Sequence, residues 1–169
     1  MRISRSSGVL SGVLLLLLGA WGGLVAFIGP YFHFAYTPDV TWTYNTPRLW
    51  LEILPGAGAF VGGALLIISR HRVEAMLGAW LAALSGAWFA LGTVLSPIWN
   101  NGVIEGGSPV GSSMTTRVLE QVGFFTGLGV VIVLIAGMAI GRLSAIPTQA
   151  ASVIPSEEPA PQEEFTAAT

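Results

Sequence analysis

Cysteine is absent and charge is scarce: Asp, Glu, Lys and Arg together make up 9% of the 169 residues. Without a thiol the chain can form no disulfide, no thiolate metal site and no cysteine nucleophile. Soluble domains carry about 25% charged residues, so these charges are too few to cover a globular surface. The formal charge of −2 favours no partner by itself. Its distribution does: no basic cluster exceeds Arg70-His71-Arg72, so no nucleic-acid-binding face is expected. No Asp, Glu, Lys or His stands mid-way along an apolar stretch as a proton relay, which argues against an ion-coupled transporter or proton channel.

What is abundant is apolar. Hydrophobic residues reach 53%, the mean hydropathy is +0.71, and the apolar residues come in four blocks, about 8–29, 50–69, 73–96 and 118–141. Each has about the 20 residues an α-helix needs to cross the hydrocarbon core, and none alternates as an outer-membrane strand would. The expected fold is therefore an all-α membrane protein with a four-helix transmembrane domain over residues 1–142. A Pro/Ala-rich tail over 143–169, carrying Glu157, Glu158, Glu163 and Glu164, reads as disordered and cytoplasmic.

"MRISR" before the first block resembles the basic start of a signal peptide. The apolar run is longer than such peptides use, and its second half is repeated later, so a retained helix is expected. Arg2, Arg5, Arg70, Arg72 and Arg142 fall on one side of the four spans, and only Arg48 and Arg117 on the other. The positive-inside rule then puts both termini in the cytoplasm of a bacterial cell, with the chain in the inner membrane.

"GAWGGLVAFIGP" from Gly19 and "GAWFALGTVLSP" from Gly86 share Gly-Ala-Trp and a closing Pro at an offset of 67. Leu51-Glu52 recurs as Leu119-Glu120 at an offset of 68, with Arg48 and Arg117 just ahead of the two glutamates. This pattern predicts two tandem helical hairpins in the same orientation, a parallel repeat about an axis along the membrane normal. Small residues four apart (Gly8/Gly12, Gly19/Gly23, Gly58/Gly62, Gly123/Gly127, Gly137/Gly141) and the stripe Gly78, Ala82, Gly86, Ala90 predict close helix contacts, within the chain or in a homo-oligomer.

The candidate functional or packing residues are Trp21, Trp88, Glu52, Glu120, Arg48, Arg117, Pro30 and Pro97. A mid-span Trp should face another helix and give its N–H to a carbonyl or hydroxyl; the two either pack helices or line a central cavity. Pro30 and Pro97 should end their helices at the outer boundary. Glu52 and Glu120 lie in first helical turns, where the dipole favours a carboxylate. They read as local ion pairs with Arg48 and Arg117, or as an outer vestibule that binds a cation or an amine.

Ser85, Thr93 and Thr126 are the mid-span polar groups that a wet path would use. His33 with Asp39 is too few ligands for a metal, and no serine has the partners of a catalytic triad. No cofactor is expected, and no enzymatic activity. The first outer loop, rich in Tyr, Phe and Trp, reads as an interfacial belt, with "DVTWTYN" as a short extended segment. The second, "NNGVIEGGSPVGSSMTT", reads as mobile.

Read with "SGAWFALGTVLSPIW", the chain resembles the SPW-repeat membrane proteins of bacteria, whose two-helix unit has a first helix ending in Ser-Pro-Trp. Ser96 and Pro97 match, Ile98 precedes Trp99, and the first copy reads Gly29-Pro30-Tyr31. It is also similar to small four-span actinobacterial proteins with a "GAW…P" helix and "LPG" opening the next. The resemblance covers about 8–141 and implies fold and location, with no activity attached. The expected role is structural or accessory, packing in the bilayer with itself or another membrane protein; the alternative is a small pore or carrier between the two repeats.

Overall fold

The computed structural model describes residues 5–145; the tail from 146 onward lies outside the described residues. Among the described residues the regular elements are helices, in the order α1 (Arg5–Ile28), α2 (Thr46–Ile68), α3 (Arg72–Leu95), α4 (Met114–Phe124) and α5 (Thr126–Ser144). Four segments are long and apolar enough to cross a membrane: Gly8–Phe32, Thr46–Ile68, Arg72–Ile98 and Met114–Ser144. Each expected block is found, and the second and fourth begin four residues earlier than hydropathy placed them, because their first turns are polar.

Two of the spans are irregular where they start. α2 opens with one α-turn, Thr46–Arg48, widens into a π-turn over Leu49–Ile53, and continues as regular α-helix from Leu54. The fourth span is broken at Phe125 (φ −126, ψ −81), so α4 and α5 are separate helices. At that break a Cβ on Gly127 would lie 2.7 Å from the Val122 carbonyl oxygen. The single-helix expectation for 118–141 is corrected accordingly.

The helices pack in sequence order around a ring, α1 on α2, α2 on α3, α3 on α5, and α5 more lightly back on α1. Small residues set these contacts, since backbones must approach closely where apolar burial gives no advantage over lipid. A Cβ on Gly63 would sit 2.6 Å from the Gly12 oxygen, one on Gly62 2.5 Å from the Gly78 oxygen, and one on Gly129 2.5 Å from the Gly86 oxygen. The α3 stripe is thus shared: Gly78 and Ala82 meet α2, whereas Gly86 and Ala90 meet α5. A Cβ on Gly137 or Gly141 would meet no other element within 4 Å among the described residues.

The centre is filled. Leu15, Val25, Phe89 and Ile132 are fully buried, and a Cβ on Gly22 would come within 2.5 Å of the Phe89 ring and 2.9 Å of Leu128. Leucines and valines cover the outside, Leu10, Leu84, Val94 and Leu134 among them. At the end where the α2–α3 turn lies, Arg142 donates to Ser11 Oγ at 2.7 Å and to the Met138 carbonyl at 3.2 Å, tying α5 to α1.

Candidate functional site

The polar chemistry gathers at the opposite end, where the loops α1–α2 and α3–α4 meet. Both helices that lead there end alike. α1 passes into a 3-10 turn, Gly29–Phe32, and α3 into another, Ser96–Ile98, with Pro30 and Pro97 in the opening positions. The prolines do not stop the helices outright; they tighten the last turn, where a missing N–H costs nothing. The helices that return are capped alike too. Asn45 Oδ1 accepts the Arg48 N–H at 2.9 Å, and Ser113 Oγ accepts the Thr116 N–H at 3.1 Å. These caps are 68 residues apart, the same offset as Glu52 and Glu120. The sequence reading missed both, though Asn and Ser ahead of a helix are recognisable signals.

Between caps and turns the two loops are knitted together. Thr37 N–H donates to the Ser108 carbonyl at 3.0 Å, Val110 N–H to the Ala35 carbonyl at 3.1 Å, and Ser108 N–H to Thr37 Oγ1 at 3.0 Å. They flank a single antiparallel bridge, Tyr36 to Pro109. The pairing falls at Ala35–Thr37, so the expected extended segment at 39–45 is corrected: that stretch turns, with Trp42 at φ 55. The α3–α4 loop is likewise held at several points, by this pairing and by Ser96 Oγ, which accepts the Glu105 N–H at 2.7 Å.

Glu120 is the clasp. Its side chain is fully buried, and its two oxygens accept N–H groups from both loops, Ala35 at 3.4 Å and Gly111 at 2.9 Å. Arg117 holds the other side of the same residue, its Nε donating to the Gly111 carbonyl at 2.7 Å. Arg48 does comparable work in the first loop, donating to the carbonyls of Thr43 at 2.7 Å and Pro38 at 3.2 Å. Neither arginine hydrogen-bonds the glutamate next to it in sequence. The expected helix-start ion pairs are replaced by contacts to backbone, because the loops bury groups that need partners.

Tyr36 sits under the clasp, packed on Phe124 and Phe125 at ring distances of 5.0 and 5.2 Å, with its hydroxyl donating to Gln121 Oε1. Burial, then the negative charges of Glu120 and Glu52, push its phenol up to about 12. Phe34 packs on Phe124 as well, so Phe34 and Tyr36 belong to the packed headpiece. Tyr31, Phe32, Trp42, Tyr44 and Trp50 remain exposed.

Glu52 differs from Glu120. It sits in the π-turn, is only 2% exposed, and its Oε2 has no hydrogen-bond partner among the described residues. It lines a cleft of about 270 Å³ between the loops, with Arg48, Asn45, Thr37, Asn100 and Glu105. The second carboxylate there, Glu105, accepts the Trp99 indole N–H at 3.3 Å, and Trp99 stacks on Trp88 at 5.8 Å.

Both mid-span tryptophans donate to carbonyls on other helices, Trp88 to Trp50 at 2.8 Å and Trp21 to Gly123 at 3.3 Å. Neither lines the cleft around Glu52. Ser85, Thr93 and Thr126 are not brought together either: Ser85 is buried and bonds back to the Leu81 carbonyl at 2.8 Å, and Thr126 is exposed. His33 and Asp39 are both exposed, and no cluster of metal-ligating residues exists among the described residues. Compared with protein-family models, curated proteins and solved structures, the chain matches none.

Proposed function

We propose that this protein is an integral membrane protein of structural or accessory role, in which a tightly packed bundle carries a folded headpiece. The observation that carries this reading is the filled bundle centre, where Gly22 closes on Phe89 and Leu128, beneath loops clasped by Glu120. A path between the repeats would need a wet axis. Of its would-be lining residues, Ser85 bonds back to its own helix and Thr126 is exposed. No enzymatic role and no nucleic-acid partner belong to this reading; the bilayer, and a second copy or another membrane subunit, do.

The bundle is two hairpins of one ancestral design. Matching 3-10 turns and helix caps support this, and so does the exchange of tryptophan bonds, Trp21 from α1 to the fourth span and Trp88 from α3 to the second. Gly22 and Phe89, equivalent at the offset of 67, meet at the centre, as residues near a pseudo-twofold axis do. By the arginine distribution the headpiece faces away from the cytoplasm of a bacterial inner membrane. SPW-repeat-like descent fits the same plan.

Extraction into nanodiscs followed by native mass spectrometry tests the role, paired with solute flux in liposomes containing the pure protein. A stoichiometric membrane subunit or a defined homo-oligomer, with no flux, is expected. Saturable flux through the pure protein would overturn the reading in favour of a pore or carrier.

A further inference from the structure

We propose that the cleft between the two loops binds a primary ammonium group, with Glu52 as its counter-charge. The inference rests on reading the joined loops as a folded headpiece, and does not require a partner subunit.

In the headpiece the other buried side chain of this kind is satisfied: Glu120 accepts N–H groups from both loops. Glu52 is buried as deeply, yet its Oε2 has no partner. Leaving a carboxylate oxygen bare in a low-dielectric setting is costly. Arg48, one helical turn away, lends its charge but no hydrogen bond, because its guanidinium donates to the carbonyls of Thr43 and Pro38. The helix widens into a π-turn around Glu52, a distortion that recurs at functional sites.

The surroundings select the ligand's chemistry. The cleft holds two carboxylates, Glu52 and Glu105, against one arginine, and adds the amide or hydroxyl oxygens of Asn45, Asn100 and Thr37. A primary ammonium has three donors, which this set of acceptors suits. A bare divalent cation is not suited, since no three acidic or histidine side chains gather among the described residues. At about 270 Å³ the space equals roughly nine waters at ~30 Å³ each, enough for an amine of a few carbons. A free amine and an aminophospholipid headgroup present the same chemistry.

Calorimetric titration of the full chain in phosphatidylglycerol nanodiscs with ethanolamine tests this, with ethylene glycol as the uncharged control. Saturable ethanolamine binding, at least tenfold weaker in Glu52→Gln, is the expected result. Glu105→Gln, at the half-buried rim, should weaken it by a smaller factor and serves if Glu52→Gln does not fold. Phosphatidylethanolamine in the nanodisc that competes with ethanolamine assigns the site to a lipid headgroup; no competition assigns it to a soluble amine. No saturable binding from either source, equal binding of ethylene glycol, or unchanged affinity in both variants would overturn the proposal. Those outcomes leave the accessory role standing, because that role is read by flux and by mass spectrometry.

Discussion

Glu52 and Glu120 stand 68 residues apart at matching places in two returning helices, and both are buried. Around Glu120 the chain has closed: two loops bring N–H groups to its oxygens, and Arg117 fixes the carbonyl of Gly111, the residue whose N–H Glu120 holds. Around Glu52 the chain stays open, with a widened helical turn, an unpartnered oxygen and a polar cleft. The same residue in the same kind of helix start therefore serves as a structural clasp in one half and as an unfilled acceptor in the other. What separates them is backbone supply: the bridge at Tyr36 and Pro109 brings Ala35 and Gly111 to Glu120, and no loop strand approaches Glu52 in that way.

The comparison breaks most visibly at the clasp. Glu120→Gln keeps the shape but leaves at most one acceptor and sets an NH2 against a backbone N–H. With a buried donor unsatisfied, the loss should be on the order of 2–3 kcal/mol, measured as a lower unfolding midpoint in detergent. The tryptophan bonds come next. Trp88→Phe removes a 2.8 Å bond and Trp21→Phe a 3.3 Å one, so losses of about 1 kcal/mol should be larger for Trp88 when the two variants are unfolded side by side.

Tyr36 reads both carboxylates at once. Its phenol lies at about 12, raised by burial first, then by Glu120, then by Glu52. The folded state keeps a proton that the unfolded state gives up, so its contribution is complete below pH 10 and is lost as pH rises toward 12. Ultraviolet titration should show the phenol titrating earlier in Glu120→Gln than in Glu52→Gln. The smallest effect belongs to Glu52→Gln itself. It alters a buried carboxyl whose Oε2 has no partner among the described residues, so thermal unfolding should move by less than about 0.5 kcal/mol, or toward greater stability.

The four spans were legible because lipid-facing leucines and valines must be there whatever the packing. The N–H partners of Trp21 and Trp88 were legible in kind, since a mid-span indole needs one, though the particular carbonyls were not. The span starts were misplaced because Asn45 and Ser113 open polar turns that hydropathy does not register. The clasp was illegible for a deeper reason: Glu120 is satisfied by backbone N–H groups, which every residue carries, brought in by a loop pairing without alternating pattern. The same blindness made Glu52 and Glu120 look equivalent and suggested arginine partners that the folded loops use elsewhere.

Amide hydrogen exchange of the headpiece in nanodiscs, compared among the wild type, Glu120→Gln and Glu52→Gln, tests the asymmetry most directly. The account predicts that Glu120→Gln releases protection at Ala35, Thr37, Val110 and Gly111, while Glu52→Gln leaves all four protected. Equal loss in both variants, or no loss in Glu120→Gln, would contradict it.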